Sequence, residues 1–229
     1  MQPTLRFVDD LITRATKIQA RLALPEGEDP RVIEAADLLL KSGAPKEILL
    51  FGNITNVQKL LLSAKISDPR IHIVDTASPE LQAATLKHFR DRAQAKGKDI
   101  ESKELATLGT SVLNQAAFYL AQDKVDAVVA GCVHTTADVI RAILKGVGLK
   151  VGIKTLSGCF LMMRGEQHFL FSDCGVVADP TGEQLADIAQ ATAETFAQFF
   201  PDQLTKIAFL SFSTKGSAVH PRVQKMVDA

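Results

Sequence analysis

Three segments of the 229-residue chain place hydroxyl, amide or thiol groups beside glycines at the ends of candidate strands. The first runs from Asp126 to Arg141, where an apolar strand leads into a glycine turn and then into a helix that begins near Thr135 and Thr136. Unpaired N–H groups and the positive end of a helix dipole attract anions, and open α/β sheets bind ligands at this edge. This turn therefore predicts an anion site that both threonine hydroxyls line.

Arg141 lies on the same predicted helix as the two threonines. Its Cα is five residues beyond Thr136, about 7.5 Å along a helix axis that rises about 1.5 Å per residue. Helical side chains lean toward the N-terminus, so the guanidinium is within reach of a phosphate held there. The alternative is a solvated arginine on an exposed helix face.

The second segment, Lys154–Met163, contains Ser157, Gly158 and Cys159 before a fully apolar run. A glycine within a strand indicates a bulge or the close approach of a ligand. Cys159 is either a reactive thiol or a buried, inert one. No neighbouring cation in the sequence would lower its pKa, so the inert interpretation is favoured.

The third segment follows the apolar run 207–212 and contains Ser213, Thr214, Lys215 and Gly216. Its hydroxyls, amides and single cation predict a cradle for an oxyanion or a phosphate between a strand and a helix. The alternative is a capped turn with a surface lysine.

Composition excludes several classes of function. The 26 basic and 26 acidic side chains balance, which argues against a nucleic-acid or membrane-surface partner. Three cysteines do not make a disulfide framework, and reduced thiols indicate the cytoplasm. No spacing of histidines or cysteines predicts a metal site, and no glycine-rich nucleotide loop is present. The N-terminus predicts neither a signal peptide nor a membrane anchor.

Short β-branched runs alternate with helical periodicity, which predicts an α/β fold with mainly parallel sheets flanked by helices. Three glycines between Gly146 and Gly152 predict a boundary between domains 1–148 and 149–229. Caps are predicted at Asp29-Pro30, Ser78-Pro79 and Asp179-Pro180-Thr181. The predicted strands are 21–25, 47–51, 71–74, 126–130, 154–163, 169–177 and 207–212, with 154–163 and 169–177 as an antiparallel hairpin. The predicted helices are 3–18, 30–42, 54–64, 79–95, 102–121, 136–146, 182–199 and 217–228.

Five stretches, taken together and in order, resemble the phosphate acetyl/butyryltransferase family, most closely its acetyltransferases. They are Leu24–Arg31, Ala130–Asp138 with Arg141, Lys154–Gly158 leading into Phe160–Met162, Phe171–Cys174 with Pro180–Thr181, and Leu210–Ala218. The last stretch is the most specific of the five.

The resemblance implies reversible transfer of an acetyl group between acetyl phosphate and coenzyme A, with phosphate as the other product. It implies a two-domain fold similar to the isocitrate/isopropylmalate dehydrogenases, a site between the domains, coenzyme A as co-substrate, no permanently bound cofactor, and a homodimer. Butyryl transfer, a non-catalytic module that binds acyl phosphate or coenzyme A, and a structural fragment are the alternatives.

The resemblance also implies roles for single residues. Arg141 matches the arginine implicated in binding the acyl phosphate, and Cys159 falls where some relatives have an active-site cysteine. A further family arginine corresponds to Arg90 or to Arg92. Relatives continue beyond Ala229 through the segments that hold their catalytic Ser, Arg and base Asp. We therefore expect an incomplete C-terminus, and little or no transferase activity from the 229 residues alone.

Overall fold

The computed structural model describes residues 3–214 and 216–229, without the side chains of residues 3–6 and 103. The chain divides into two compact units, one of residues 5–148 and one composed mainly of residues 149–229. The helices are α1 (Pro3–Ile18), α2 (Pro30–Ser42), α3 (Ile54–Ser63), α4 (Pro79–Ala95), α5 (Ser102–Leu108), α6 (Val112–Ala121), α7 (Thr136–Gly146), α8 (Gly182–Phe199) and α9 (Pro221–Asp228). The strands are β1 (Ala20–Leu24), β2 (Pro45–Gly52), β3 (Ile71–Asp75), β4 (Ala127–Val128), β5 (Cys159–Arg164) and β6 (Gln167–Ser172).

The first unit is a parallel sheet in the order β3-β2-β1-β4. Successive residues of a strand point to opposite faces, so both faces of this sheet receive apolar side chains. Leu24 and Leu50 pack with α2 and α3, whereas Ala23 and Phe51 pack with Ala116 of α6 on the other face. Helices therefore cover both faces, as predicted, and all the strands end at one edge of the sheet.

Within the described residues, the strands of the second unit form the antiparallel hairpin β5–β6, which confirms the prediction of a hairpin there. The turn between the strands contains Gly165 at a φ of +60°, a left-handed conformation that glycine adopts without strain. Helix α8 packs on β6 and against α9. Thr155 anchors the chain before the hairpin, because its hydroxyl donates to the Asp187 carboxylate of α8 at 3.0 Å.

Helix starts follow the predicted caps. The Asp29 carboxylate accepts from the N–H of Arg31 at 2.8 Å, and the Ser78 hydroxyl accepts from the N–H of Leu81 at 3.3 Å. At α8 the cap is Thr181, whose hydroxyl and Gln184 form a reciprocal capping box. These signals are local in sequence, which is why they were predictable.

Some predicted elements are wrong in extent or type. The predicted helix 102–121 is two helices, α5 and α6. At the break between them, a Cβ on Gly109 would lie 2.5 Å from the carbonyl oxygen of Gln82. The helix predicted to begin at residue 217 begins at Pro221.

The predicted strand 207–212 is not a strand. No backbone of the described residues pairs with it, and Leu210 and Phe212 are 79% and 67% exposed. An apolar run becomes a strand only where a neighbouring strand hydrogen-bonds to it.

Candidate functional site

At the start of α7, the predicted site residues Thr135 and Arg141 both bind the carboxylate of Asp138. Thr135 caps the helix: its hydroxyl accepts from the N–H of Asp138 at 3.2 Å and donates to the Asp138 carboxylate at 2.7 Å. Arg141 donates from Nη1 to the other oxygen of that carboxylate at 2.7 Å. Hydrogen bonds from Thr135 and then Arg141 lower the pKa of Asp138. Thr136 is the first residue of the helix, so all three predicted residues lie within its first two turns.

The Arg141 guanidinium remains accessible despite this ion pair. Its side chain is 58% exposed, and the bond to Asp138 uses Nη1 only. A guanidinium carries five N–H donors, so Nε and Nη2 can still contact a ligand. The arrangement suits an anion with several oxygens, such as a phosphate, beside a helix N-terminus.

A buried carboxylate that the sequence analysis did not single out occupies the turn before α7. Glu26 follows β1, and its carboxylate accepts from four successive backbone N–H groups. One oxygen accepts from Gly131 at 3.0 Å and Cys132 at 2.7 Å, and the other from Val133 at 2.9 Å and His134 at 2.7 Å. The prediction that these N–H groups are open to a ligand is therefore wrong, because Glu26 saturates them.

His134 adds a fifth contact to the same carboxylate, from Nδ1 at 2.9 Å. An ionised carboxylate only accepts, so Nδ1 is assigned the hydrogen. Burial raises the pKa of Glu26, but the backbone N–H groups and the imidazole outweigh burial and lower the pKa to about 2. Glu26 therefore stays ionised although the residue is only 6% exposed.

The rest of the segment Leu24–Arg31 ties neighbouring loops to one another. The Glu28 carboxylate accepts from the N–H of Asn53, the cap of α3, and from the amide of Asn56, both at 2.7 Å. Arg31 pairs with Asp29 and donates to the carbonyl of Cys132 at 3.0 Å. These contacts hold the loops after β1, β2 and β4 together at the carboxyl edge of the sheet.

Gly27, in the same segment, lies against the backbone of the neighbouring strand. A Cβ there would lie 2.8 Å from the carbonyl oxygen of Phe51, so a larger residue does not fit without a backbone shift.

The structure separates the two candidate arginines of α4. Arg92 donates to the carbonyls of Lys145 and Val147 at 3.0 and 2.6 Å, so it binds the C-terminal end of α7. Arg90 is exposed, and its side chain makes no hydrogen bond or ion pair with residues 3–214 or 216–229. Its guanidinium therefore has all its donors available to a ligand.

In the second unit, a carboxylate again organises a predicted segment. Asp173 accepts from the N–H groups of Gly158, Val176 and Val177 at 2.8, 2.8 and 2.7 Å. Gly158 precedes β5 rather than interrupting a strand, and a Cβ on it would lie 2.8 Å from Sγ of Cys174. A glycine is therefore needed at this position because the Cys174 side chain lies close to it; no ligand is needed to explain it.

Cys159 is the first residue of β5 and is exposed, so the prediction that this cysteine is buried is wrong. Ser157, two residues before it, is half-buried. Partial desolvation of the sulfur, with a smaller contribution from Cys174, still raises the pKa of the Cys159 thiol. A raised pKa leaves little thiolate at neutral pH, which is the condition of an unreactive cysteine.

The turn around Ser213 and Gly216 is held by its own groups. The Ser213 hydroxyl accepts from the N–H of Ala218, and the Thr214 N–H donates to the Ser217 hydroxyl, both at 3.0 Å. Gly216 has a φ of +82°. Lys215, a predicted member of the site, lies outside the described residues.

A cavity of about 510 Å³ lies beside this turn. Leu210 and Phe212 form part of its apolar wall, and Arg222 and Lys225 supply its cations. Lys225 pairs with Asp179 at 2.5 Å.

Among the described residues, no cluster of three His, Cys, Asp or Glu side chains is arranged to hold a metal ion. None of their helices combines the length and the apolar character needed to cross a membrane.

A family model described as phosphate acetyl/butaryl transferase matches residues 6–229. The chain belongs to this family. It is 33% identical over 213 residues to the phosphate acetyltransferase of Staphylococcus aureus (strain Mu50 / ATCC 700699), a match that covers 91% of this chain and 62% of the relative. It is also 33% identical over 209 residues to that of Staphylococcus epidermidis (strain ATCC 12228 / FDA PCI 1200), with the same coverage.

Solved structures of the family have the same fold. The chain superimposes with a TM-score of 0.83 on a phosphotransacetylase from Streptococcus pyogenes and with one of 0.79 on the EutD phosphotransacetylase from S. aureus. Each is 30% identical, and each match covers 96% of this chain and 66% of the other. The α/β prediction is confirmed, and the chain spans just under two thirds of the length of these family members.

Proposed function

We propose that this chain binds acetyl phosphate and coenzyme A and serves the reversible transfer of the acetyl group between phosphate and the coenzyme A thiol. The observation that carries the proposal is the Thr135–Asp138–Arg141 cluster at the start of α7, in a chain of the phosphate acetyl/butaryl transferase family. A hydroxyl, a guanidinium and a helix N-terminus together complement a phosphate dianion.

In this proposal the phosphate binds at the first turn of α7, beyond the loop that Glu26 occupies. Arg141 contacts the phosphate through the donors that Asp138 leaves available, and the Thr136 hydroxyl lines the site. Thr135 positions Asp138, because its single hydroxyl hydrogen is donated to that carboxylate. Arg90 is proposed to contact another anionic group of the substrates, because Arg92 is committed to the carbonyls at the end of α7. The Arg141 guanidinium also stabilises the negative charge that the departing phosphate gains.

In the reaction, a base removes the proton of the coenzyme A thiol, and the thiolate attacks the acetyl carbonyl. The new C–S bond forms and the C–O bond to phosphate breaks, with the electron pair leaving on phosphate. An unperturbed thiol has a pKa of about 8.5, so a base and nearby positive charge are needed at neutral pH. Cys159 is not the nucleophile in this scheme, in keeping with its raised thiol pKa.

The second unit contributes the turn of Ser213, Thr214, Lys215 and Gly216 together with the segment Ser157–Cys159. We propose that these groups contact the same substrates, so that the predicted domains 1–148 and 149–229 both contribute to binding.

Three further features belong to the proposal. Coenzyme A acts as a co-substrate, with no permanently bound cofactor. The protein works in the cytoplasm, which the free thiols of Cys132, Cys159 and Cys174 support. It forms a homodimer.

The second candidate function is a non-catalytic module that binds acyl phosphate or coenzyme A. It needs only binding groups, such as the Nε and Nη2 donors that Arg141 keeps available at the start of α7.

One set of titrations separates these functions. Acetyl phosphate, butyryl phosphate, coenzyme A and acetyl-CoA are titrated into the 229-residue chain by calorimetry, and acetyl-CoA formation is followed by absorbance. Binding with turnover supports the transferase, and the tighter acyl phosphate identifies the acyl group. Binding without turnover supports the module, and no binding of any ligand contradicts both.

A further inference from the structure

Glu26 makes the most concentrated set of polar contacts in the unit of residues 5–148. We infer that Glu26 is a positioning residue for the acyl-phosphate site: its carboxylate holds the loop Gly131–His134 and, through that loop, the start of α7. The inference rests on the proposed function, and it assigns a role to a residue that does not itself touch the ligand.

The geometry of the loop supports the inference. Four successive N–H groups converge on one carboxylate within 3.0 Å, an arrangement that a peptide adopts around an anion. Without that anion the four donors would lose their shared acceptor, and the loop would rearrange as its N–H groups turn to water or to other acceptors. The carboxylate therefore determines the backbone conformation of this loop.

The loop in turn places the helix cap. His134, the last residue whose N–H Glu26 binds, directly precedes Thr135, whose hydroxyl caps α7 and binds Asp138. A shift of the loop therefore moves the cap, the first-turn N–H groups and the Asp138–Arg141 pair together. Arg31 supports the other side of the loop through the carbonyl of Cys132.

The same contacts determine where a phosphate can bind. Glu26 saturates the N–H groups of the loop and adds a fixed negative charge behind them. An incoming anion is directed away from the loop and toward the Thr136 hydroxyl and Arg141. Glu26 thereby selects the position of the ligand as well as the shape of its site.

The first test needs no ligand. Amide hydrogen exchange is measured for the wild type and for Glu26→Gln, in which an amide NH₂ faces two of the four N–H donors. We expect exchange at residues 131–134 to be at least ~10-fold faster in the variant, with the amides of α2 little changed. Unchanged protection at 131–134 would overturn the inference.

Glu28→Gln is the matched control, because Glu28 is a carboxylate of the same segment that binds Asn53 and Asn56 instead. It should accelerate exchange near residues 53–56 and leave residues 131–134 protected. Acceleration at residues 131–134 in both variants would show a general loosening of the segment and would count against the inference.

A second variant covers the case in which Glu26→Gln does not fold. Glu26→Ala leaves the loop without its anion, and formate is small enough to take the place of the carboxylate. Formate added during refolding should restore helical circular dichroism and the protection of residues 131–134, whereas chloride at equal ionic strength should not. Equal effects of the two salts would contradict a specific role for a carboxylate.

The last arm measures acetyl phosphate and coenzyme A dissociation constants. For Glu26→Gln we expect the constant for acetyl phosphate to rise at least ~5-fold and that for coenzyme A to stay the same, since a general loss of stability would not select one ligand. Equal acetyl phosphate dissociation constants in wild type and variant would overturn the role of Glu26 and leave the proposed function standing. A wild type that binds no acetyl phosphate would overturn the proposed function and, with it, this role for Glu26.

Discussion

At the level of single residues, carboxylates hold two loops of the candidate site, the loop 131–134 before α7 and the loop 173–177 after β6. Glu26 and Asp173 each accept from several backbone N–H groups of a loop that follows a strand. Asp138 links a threonine hydroxyl to Arg141. Ionised acceptors make stronger hydrogen bonds than neutral ones. These three side chains therefore stabilise segments that lack the backbone hydrogen bonds of a helix or a strand.

The lowered pKa of Glu26 predicts a dependence of stability on pH. The folded pKa of about 2 lies below the ordinary value of 4.5, so the carboxylate stabilises the fold fully above about pH 5. This contribution is lost as the pH falls toward 2. Between pH 7 and pH 3.5 the stability advantage of the wild type over Glu26→Gln should shrink by about 1.4 kcal/mol.

Urea unfolding at pH 7, 4.5 and 3.5 measures this effect. Tyr119, the single tyrosine of the chain, packs on Phe51 in the first unit, and its fluorescence reports on that unit. Glu34→Gln, at an exposed position of α2, is the control and should show no such change with pH. A gap between wild type and Glu26→Gln that stays constant over this range would contradict the account.

How far the site could be predicted from sequence depends on the distance along the chain between contacting residues. Thr135 and Arg141 were predicted because they belong to one helix. The spacing along that helix gives both the capping position of Thr135 and the distance from Arg141 to the helix start. Glu26 was missed because its partners lie more than 100 residues away, and only the fold brings them together. A Pro-Glu-Gly sequence directly after an apolar strand is the one signal that pointed to it.

At the level of elements, the end of α7 depends on α4. Arg92 reaches across from α4 to the carbonyls of Lys145 and Val147, whereas Arg90, half a turn away, points to solvent. Arg92 is half-buried and therefore gains more from these bonds than an exposed side chain would.

These positions predict opposite phenotypes for two neighbouring substitutions. Arg92→Ala should lower the free energy of unfolding by about 1.5–3 kcal/mol, since two carbonyls lose a charged donor. Arg90→Ala should leave stability within about 0.5 kcal/mol of wild type and weaken acetyl phosphate or coenzyme A binding. Tyr119 fluorescence in urea gives the stabilities, and calorimetry gives the binding. Equal stability losses in both variants would refute the distinction.

Whether an element was predicted correctly depends on what forms it. The helix starts at Asp29, Ser78 and Thr181 were predicted because a cap and its first turn are neighbours in sequence. The prediction of a strand at 207–212 was wrong because a strand needs a neighbouring strand to hydrogen-bond to, and the hydrophobicity of a segment does not show whether the fold provides one. The break at Gly109 depends on contact with α4, which no local pattern reveals.

At the level of the whole molecule, one face of the hairpin is apolar and exposed. Phe160 lies opposite Phe171, and Met162 lies opposite Phe169. These four side chains are between 42% and 58% exposed. We expect a contiguous apolar surface of this kind to be covered by another apolar surface, and we take it as the candidate interface of the proposed homodimer.

The proposed homodimer predicts a mass of twice 24.7 kDa by light scattering. Phe171→Asp should shift the mass toward the monomer, because a charge in an apolar interface loses its hydration. Leu38→Asp is the control, since Leu38 is an exposed apolar residue of α2 in the other unit. A monomeric wild type would disprove the homodimer.

The central claim is that the chain binds an acyl phosphate at the start of α7 through Arg141. Calorimetric titration of acetyl phosphate into the wild type and Arg141→Ala tests it most directly, with Arg164→Ala, an exposed arginine of the hairpin, as the control. We expect the Arg141→Ala dissociation constant to be at least ~10-fold higher than that of the wild type and of Arg164→Ala. Equal constants for all three proteins would remove Arg141 from the site and contradict the account.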